Sequence, residues 1–111
     1  MDRVAELTNL VQREVEDYAR GGASKAIAYP ISDLIRQTYC VLVIPDYPRP
    51  WRAGIVVAAR VVGEYVVIDE DITDRPLVHE LVRAGIPRER IVLTYVGERL
   101  PESQPDAEAS G

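Results

Sequence analysis

Four apolar runs follow one another between residues 26 and 71 with no helical pattern between them, and this feature constrains the fold most. The runs are AIAY, YCVLVI, AGIVVAARVV and EYVVID, all rich in β-branched or aromatic residues and bounded by turn formers. Because strands that are clustered rather than alternating with helices form antiparallel sheets, the pattern predicts an α+β fold. Gly63-Glu64 lies between the third and fourth runs and predicts a tight hairpin there.

Prolines set the expected ends of the first strands. The segment YPISD, residues 29–33, contains proline and aspartate and is expected to separate the first strand from the second. Pro45 is expected to end the second strand, and Pro48 and Pro50 to hold residues 46–50 in a loop.

Two amphipathic segments flank the strands. Residues 3–20 carry apolar side chains at steps of three and four, which predicts a helix that Gly21-Gly22 ends. A second helix is expected near residue 76, with Thr73 or Asp74 as its cap. Its expected end is Gly85 followed by Pro87, and its expected buried residues are Leu77, Val78, Leu81 and Val82.

The predicted architecture is two-layered: an N-terminal helix, a mainly antiparallel meander, a second helix and a last strand, IVLTYV. We expect one domain over residues 1–98 and a disordered polar tail over residues 99–111. Residues 54–62 are apolar on both alternating faces apart from Arg60, which is typical of a strand covered on both sides. One helix layer covers one face only, so the other face requires more chain or a second subunit.

Composition and charge exclude several classes of protein. One cysteine cannot form an internal disulfide, and no apolar run approaches the ~18 residues of a membrane helix. The start of the chain lacks a signal-peptide pattern, so we expect a cytoplasmic protein without membrane contact. The net charge of −5 argues against autonomous DNA binding, although five basic and two acidic side chains give residues 25–60 a charge of +3.

No residue pattern indicates catalysis, a cofactor or a metal. His79 has no acid–base partner at helical spacing, and Cys40 lies in an apolar strand without a base to activate it. The acidic residues 69–74 lack the glycine and the spacing of a calcium-binding loop. Phosphate-binding glycine loops and nucleophile elbows are also missing from the sequence. We therefore expect a protein that is not an enzyme and has no cofactor.

The stretch YPRPWR interleaves arginines with aromatic side chains. Such residues anchor protein interfaces or stack on bases and bind phosphates, and an ordinary exposed loop is an equal alternative. The net charge favours a protein interface over a nucleic-acid contact. The candidate contact residues, for either partner, are Arg36, Arg49, Trp51, Arg52 and Arg60.

The segment PLVHELVRAGIPRERIVLTY, residues 76–95, resembles the signature of the XisI family, the controlling factors for excision of the fdxN element. The resemblance covers roughly residues 4–96 and weakens after Tyr95, where Val96-Gly97-Glu98 leads into the polar tail. The matching signature positions are Glu80, Leu81, Val82, Gly85, Ile86, Pro87, Ile91, Val92, Leu93 and Tyr95.

The resemblance implies an α+β fold, a homodimer, and a role in site-specific excision of DNA beside a recombinase and an XisH protein, whose family resembles nucleases. It implies no catalytic or cofactor residues. We therefore expect an accessory factor that works through contacts with an XisH-like protein or a recombinase, with DNA contacted weakly or indirectly. The alternatives are an antitoxin-like partner of a nuclease, direct DNA binding through a local arginine patch and, least favoured, a small enzyme.

Overall fold

The computed structural model describes residues 3–20, 26–45 and 52–101. Over these residues the elements follow the order α1 (Arg3–Asp17), β1 (Ala26–Asp33), β2 (Thr38–Pro45), β3 (Gly54–Val62), β4 (Tyr65–Asp71), α2 (Leu77–Arg83) and β5 (Ile91–Leu93). The sheet order is β1-β2-β3-β4-β5, antiparallel except for the parallel pair β4–β5. The predicted α+β architecture with a mainly antiparallel meander is confirmed.

Both helices pack on the same face of the sheet. Val11 and Val15, one turn apart on α1, are fully buried, as are Leu77 and Leu81 at the same spacing on α2. These four side chains belong to one apolar cluster with the inward-facing strand residues. The strand members of that cluster are Tyr39, Val41, Val57, Ala59, Val61, Val66, Ile68 and Ile91.

The end of α1 lies three residues before the predicted one. The chain tightens after Asp17 into a turn in which the Tyr18 amide donates to the Val15 carbonyl and the Ala19 amide to the Glu16 carbonyl, both at 3.0 Å. Such three-residue bonds commonly close the last turn of a helix. Gly21-Gly22, the predicted stop, lies outside the described residues.

The break expected at YPISD is wrong. β1 continues through Pro30 to Asp33, and Pro30 lies opposite Val41 of β2. β1 is at the edge of the described sheet, where a residue without an amide hydrogen is tolerated. The chain turns at residues 34–37 instead, because Asp33 Oδ1 accepts the backbone amides of Ile35 and Arg36 at 3.1 and 3.0 Å. Pro45 ends β2 as predicted, and the loop of residues 46–50 lies outside the described residues.

The cap of α2 also differs from the expectation. Thr73 and Asp74 do not cap the helix; Asp71, at the end of β4, does so from six residues away. Its Oδ2 accepts the Leu77 amide at 2.6 Å, and its Oδ1 accepts the Thr73 amide at 2.9 Å. One carboxylate therefore fixes both the loop after β4 and the first turn of α2.

Gly85 ends α2 as predicted, and two backbone hydrogen bonds close the last turn of the helix. The Gly85 amide donates to the Val82 carbonyl and the Ile86 amide to the Leu81 carbonyl, both at 3.0 Å. Gly85 has a φ of +111°, a conformation that side-chain-bearing residues rarely adopt. Ile86 is then buried in the same apolar cluster as Leu81.

Gly85→Ala is expected to lower the free energy of unfolding by about 1–3 kcal/mol. The cost comes from the backbone alone, because an added Cβ would meet no atom within 4 Å. Gly54→Ala is the matched control, since its Cβ would also meet no atom and its φ lies outside the left-handed range. Denaturant titration of both variants checks this, and equal stabilities would contradict it.

None of the helices in the described part of the chain has the length and apolar character needed to cross a membrane. Most of the predicted polar tail, residues 102–111, lies outside the described residues, so its disorder and the domain limit at residue 98 stay predictions.

Candidate interaction surface

The face of the sheet turned away from the helices carries an exposed apolar surface, which we call the open face. Strand register aligns its side chains in three rows across β1, β2 and β3. The rows are Ile31–Cys40–Ala58, Tyr29–Leu42–Ile55 and Ile27–Ile44. Its five largest partly exposed side chains, between 37 and 46% exposed, are Ile27, Tyr29, Ile31, Ile44 and Ile55.

Strand β3 shows why this surface exists. Its inward residues Val57, Ala59 and Val61 lie under the helices and are buried. On the other face Ile55 is exposed and Ala58 half-buried. The helix layer thus covers one face of an apolar strand, as the sequence predicts, and leaves Ile55 and Ala58 on the other face partly in contact with solvent.

The open face does not extend across the whole sheet. Val67 lies opposite Arg60 in register, and Val92 lies opposite Val67, so all three side chains point to the side away from the helices. Val67 and Val92 are nonetheless buried. The exposed apolar surface is therefore confined to β1, β2 and the first half of β3.

Two ion pairs border the open face at one end. Arg60 Nε donates to Asp69 Oδ2 at 2.6 Å, and the Thr94 hydroxyl donates to Asp69 Oδ1 at the same distance. In the β1–β2 turn, Arg36 Nη1 donates to Asp33 Oδ2 at 2.7 Å. Hydrogen bonds from the backbone amide and the guanidinium of Arg36 hold the pKa of Asp33 below its usual value.

The structure brings some of the predicted contact residues together and separates others. Arg60 lies opposite Thr38, two residues after Arg36, so both arginines are at the same end of the sheet. Arg52 precedes β3 at the other end, and the part of the strand from Gly54 to Arg60, about 20 Å long, lies between it and Arg60. It is exposed and lines a cleft of about 230 Å³. Arg49 and Trp51 lie outside the described residues.

Both edges of the described sheet are protected against strand addition. At β5, Glu98 Oε1 accepts the Leu93 amide at 2.8 Å, and the Glu98 amide donates to the Leu93 carbonyl at 3.0 Å. Arg88 donates to the Ile91 carbonyl at 2.8 Å and to Glu98 Oε2 at 3.0 Å. At β1, Pro30 removes one amide donor from the opposite edge. The β5 edge is thus closed by side-chain and backbone contacts, and the β1 edge has one position without an amide donor.

Glu98 is expected to make stability depend on pH in the acid range. Its bonds to the Leu93 amide and to Arg88 lower its pKa in the folded chain below the usual value of about 4.3. A lowered folded pKa gives stability that is present above the unfolded pKa and is lost as the pH falls through the folded pKa. Glu98→Gln should therefore reduce the steepness of acid unfolding below about pH 4. Denaturant titrations from pH 2 to 6 measure this slope, and an unchanged slope would contradict the assignment.

The residues weighed for chemistry do not form a catalytic group in the described part of the chain. His79 is exposed on α2 and lines a cleft of about 660 Å³ with Arg83 and Arg88. Cys40 lies on the open face, where burial raises the pKa of its thiol. Residues 3–20, 26–45 and 52–101 contain no group of three or more histidines, cysteines or acids placed to hold a metal ion.

A polar cluster that the sequence pattern does not indicate joins the two helices. The Tyr18 hydroxyl donates to the Arg75 carbonyl, and the Arg75 guanidinium lies 4.2 Å from the centre of the Tyr18 ring. Arg75 also pairs with Asp17 at 3.4 Å and with Glu80 at 3.6 Å. Burial raises the pKa of Tyr18 well above its usual value. The contacts of Arg75 with Tyr18 and Asp17 join the end of α1 to the segment before α2, and its pair with Glu80 joins that segment to α2, so the cluster links the two helices.

The open face was also missed as a site, although its pattern is readable in retrospect. Ile27, Tyr29 and Ile31 alternate with other residues, as do Cys40, Leu42 and Ile44 on the next strand. Alternation with period two places each set on one face. The pattern was not recognised because the expected break at residues 29–33 excluded Ile31 from the first strand.

Comparisons with known proteins agree with this architecture. The sequence profile of the XisI protein family matches residues 1–103. The fold is similar to that of an XisI-like protein from Anabaena variabilis ATCC 29413, with a TM-score of 0.72 and 23% identity over 94% of each chain. It is also similar to the fdxN element excision controlling factor XisI from the same organism, with a TM-score of 0.66 and 21% identity over 93% of this chain and 99% of the other. Comparison with curated protein sequences gives no significant match.

The family match spans all the described residues, and the fold similarity to the two solved structures covers 94% and 93% of this chain. By this match over residues 1–103, the chain belongs to the XisI family.

Proposed function

We propose that this chain is a non-enzymatic controlling factor in the excision of a DNA element and that it acts through protein–protein contacts. The observation that carries the proposal is the open face, an apolar surface on a chain whose family includes a protein named as an excision controlling factor. Contiguous exposed apolar surface on a folded domain is typical of an interaction site. The partners we propose are an XisH-like protein or a recombinase. In a variant of this function, the chain binds a nuclease and inhibits it, as an antitoxin does.

Size-exclusion chromatography with light scattering tests the partner. The chain is measured alone and mixed with the XisH-like protein from the same genome, both folded and at micromolar concentration. We expect a stable mixed complex, with a molar mass that fixes its stoichiometry. Independent elution of the two folded proteins at all concentrations would contradict this pairing, and the same experiment with the recombinase would then test the other partner.

Direct DNA binding is the second candidate function, and its support is weaker. Arg36 and Arg60 each direct their guanidinium to a carboxylate of the same chain, so binding a phosphate there would require breaking an ion pair. Arg52 is exposed, but a single arginine provides little of the counterion release that drives binding to duplex DNA.

A titration of labelled duplex DNA separates the two functions. We expect no saturable binding at physiological salt and no change on Arg52→Ala or Arg60→Ala. Tight binding that weakens steeply with salt and is lost in both variants would contradict action through protein contacts and establish the arginine patch.

A further inference from the structure

We propose that the open face is the interface of a symmetric homodimer, in which a second copy of this chain covers the apolar rows of β1, β2 and β3. The inference rests on the proposed function only in assuming that the chain works through protein contacts. It goes beyond that function by naming the surface and its occupant. Two sheets of this kind pack face to face about 10 Å apart, with their side chains interdigitating.

The size of the surface suits this occupant. The five large side chains of the open face leave on the order of 400 Å² of apolar area in contact with water, comparable to the largest patch on a typical monomer. A two-fold interface buries the same patch on both copies. With the half-buried Cys40, Leu42 and Ala58 included, the total approaches the roughly 1,000 Å² that a specific interface requires.

The contacts at the two sheet edges favour binding of the second copy to the open face. Glu98 and Arg88 occupy the outward backbone groups of Ile91 and Leu93 in β5, and Pro30 interrupts the donors of β1. If the sheets of two copies paired edge to edge, the added strand would have to displace Glu98 and Arg88 at β5. At β1, Pro30 would leave one carbonyl of the added strand without a donor. Face-to-face packing displaces none of them.

The distribution of charge favours a second copy over a charged partner at this surface. The three rows contain no ionisable side chain apart from Tyr29 and Cys40. The charges at their border are the two ion pairs Arg36–Asp33 and Arg60–Asp69 and the carboxylate of Glu70, which lies opposite Ala58 in register. Packing the three rows of two copies together therefore buries no carboxylate, ammonium or guanidinium group of the rows themselves, and Glu70 stays at their border. Residues 61–111 carry five basic and eleven acidic side chains, so the net negative charge belongs mainly to the part of the chain that follows β3.

The dimer and DNA binding predict opposite effects of salt. Two copies that each carry a net charge of −5 repel one another, and salt screens this repulsion. The dimer should therefore be as stable or more stable at high salt, whereas a contact with phosphates would weaken.

Light scattering across a concentration series on the full chain tests the interface. Ile31→Lys introduces a charge on the open face, and Val82→Lys does so on α2 at an almost equal exposure, 44 against 43%. We expect the wild type and Val82→Lys to be dimers at micromolar concentration. Ile31→Lys should raise the dissociation constant roughly 100-fold or more, because the two-fold axis places the charge at the interface twice. Circular dichroism verifies the fold, and Ile27→Lys replaces Ile31→Lys if that variant does not fold.

The rate of thiol labelling gives a second measurement that needs no substitution. Cys40 is the one cysteine of the chain and lies in the middle of a row of the open face. Labelling of the native protein should slow several-fold as the protein concentration is raised through the dissociation constant. A labelling rate independent of concentration, together with a monomeric molar mass, would overturn the proposal.

The outcomes also separate this inference from the proposed function. A wild-type monomer that still forms a complex with the XisH-like protein, but loses it on Ile31→Lys, would overturn the homodimer and assign the open face to the other partner. A dimer that Ile31→Lys leaves intact while Val82→Lys dissociates it would also overturn the assignment. A dimer that Ile31→Lys dissociates would support the inference, whether or not the XisH-like protein binds.

Discussion

Leu81→Ala is expected to lower the free energy of unfolding by about 2–5 kcal/mol, the largest stability effect in this account. Leu81 is fully buried between α2 and the sheet, and its carbonyl accepts the Ile86 amide that closes the helix end. Removing the side chain loses apolar burial and leaves a cavity next to Ile86, which belongs to the same cluster. Thermal or denaturant unfolding followed by circular dichroism measures the loss.

Val82→Ala is the control for this prediction. Val82 was expected from the sequence to be buried with Leu81, but it is 43% exposed on the outer side of α2. We expect its truncation to cost less than about 1 kcal/mol, because most surface substitutions have small effects. Equal costs for the two variants would show that α2 packs in a different orientation.

Asp71→Ala is expected to lower the free energy of unfolding by about 1–3 kcal/mol. The carboxylate accepts two backbone amides, those of Thr73 and Leu77, and Leu77 begins the helix that buries Leu81. Its removal leaves the first turn of α2 without its cap and frees the loop after β4. Hydrogen exchange should therefore increase in α2 before it increases in β3.

Asp74→Ala tests the alternative cap directly. Asp74 is near the start of α2 in sequence and is exposed, and α2 has no capping bond from the side chain at its own N-terminal boundary. We expect Asp74→Ala to change stability by less than about 0.5 kcal/mol. A larger loss in Asp74→Ala than in Asp71→Ala would contradict the capping geometry.

Features encoded by neighbouring residues could be predicted from the sequence. The spacing of Val11 and Val15, the Gly63-Glu64 hairpin and the stop at Gly85 depend on local periodicity and on the conformational freedom of glycine. The family signature around Gly85 could be recognised for the same reason. The match of the family profile to residues 1–103 confirms that recognition.

Features that depend on distant partners could not be predicted. Asp71 caps α2 because β4 delivers its carboxylate to the helix, and local spacing favoured Thr73 or Asp74. Pro30 is accommodated because β1 is an edge strand, a position that only the complete sheet defines. Glu98 lies after Tyr95, where the sequence predicted that the family resemblance weakens, but the family profile matches through residue 103. Its side chain closes the β5 edge through a contact with the Leu93 amide that the neighbouring sequence does not indicate.

The open face lies between these two cases. Apolar character on both faces of residues 54–62 predicted that the sheet has a second covered side. The residues that form this side could be identified only from the strand register, which places Ile31, Cys40 and Ala58 in one row. We propose that another protein surface covers that row and its neighbours.

Methyl NMR with a soluble paramagnetic agent tests this claim most directly, because the chain has isoleucines both on the open face and at exposed positions elsewhere. Ile27, Ile31, Ile44 and Ile55 lie on the open face, whereas Ile35 and Ile72 are exposed elsewhere. At concentrations where the complex forms, the account predicts that the four open-face methyl groups are protected while those of Ile35 and Ile72 are broadened. Equal broadening of all six, in the chain alone and with its partner, would contradict the claim that this face is a protein interface.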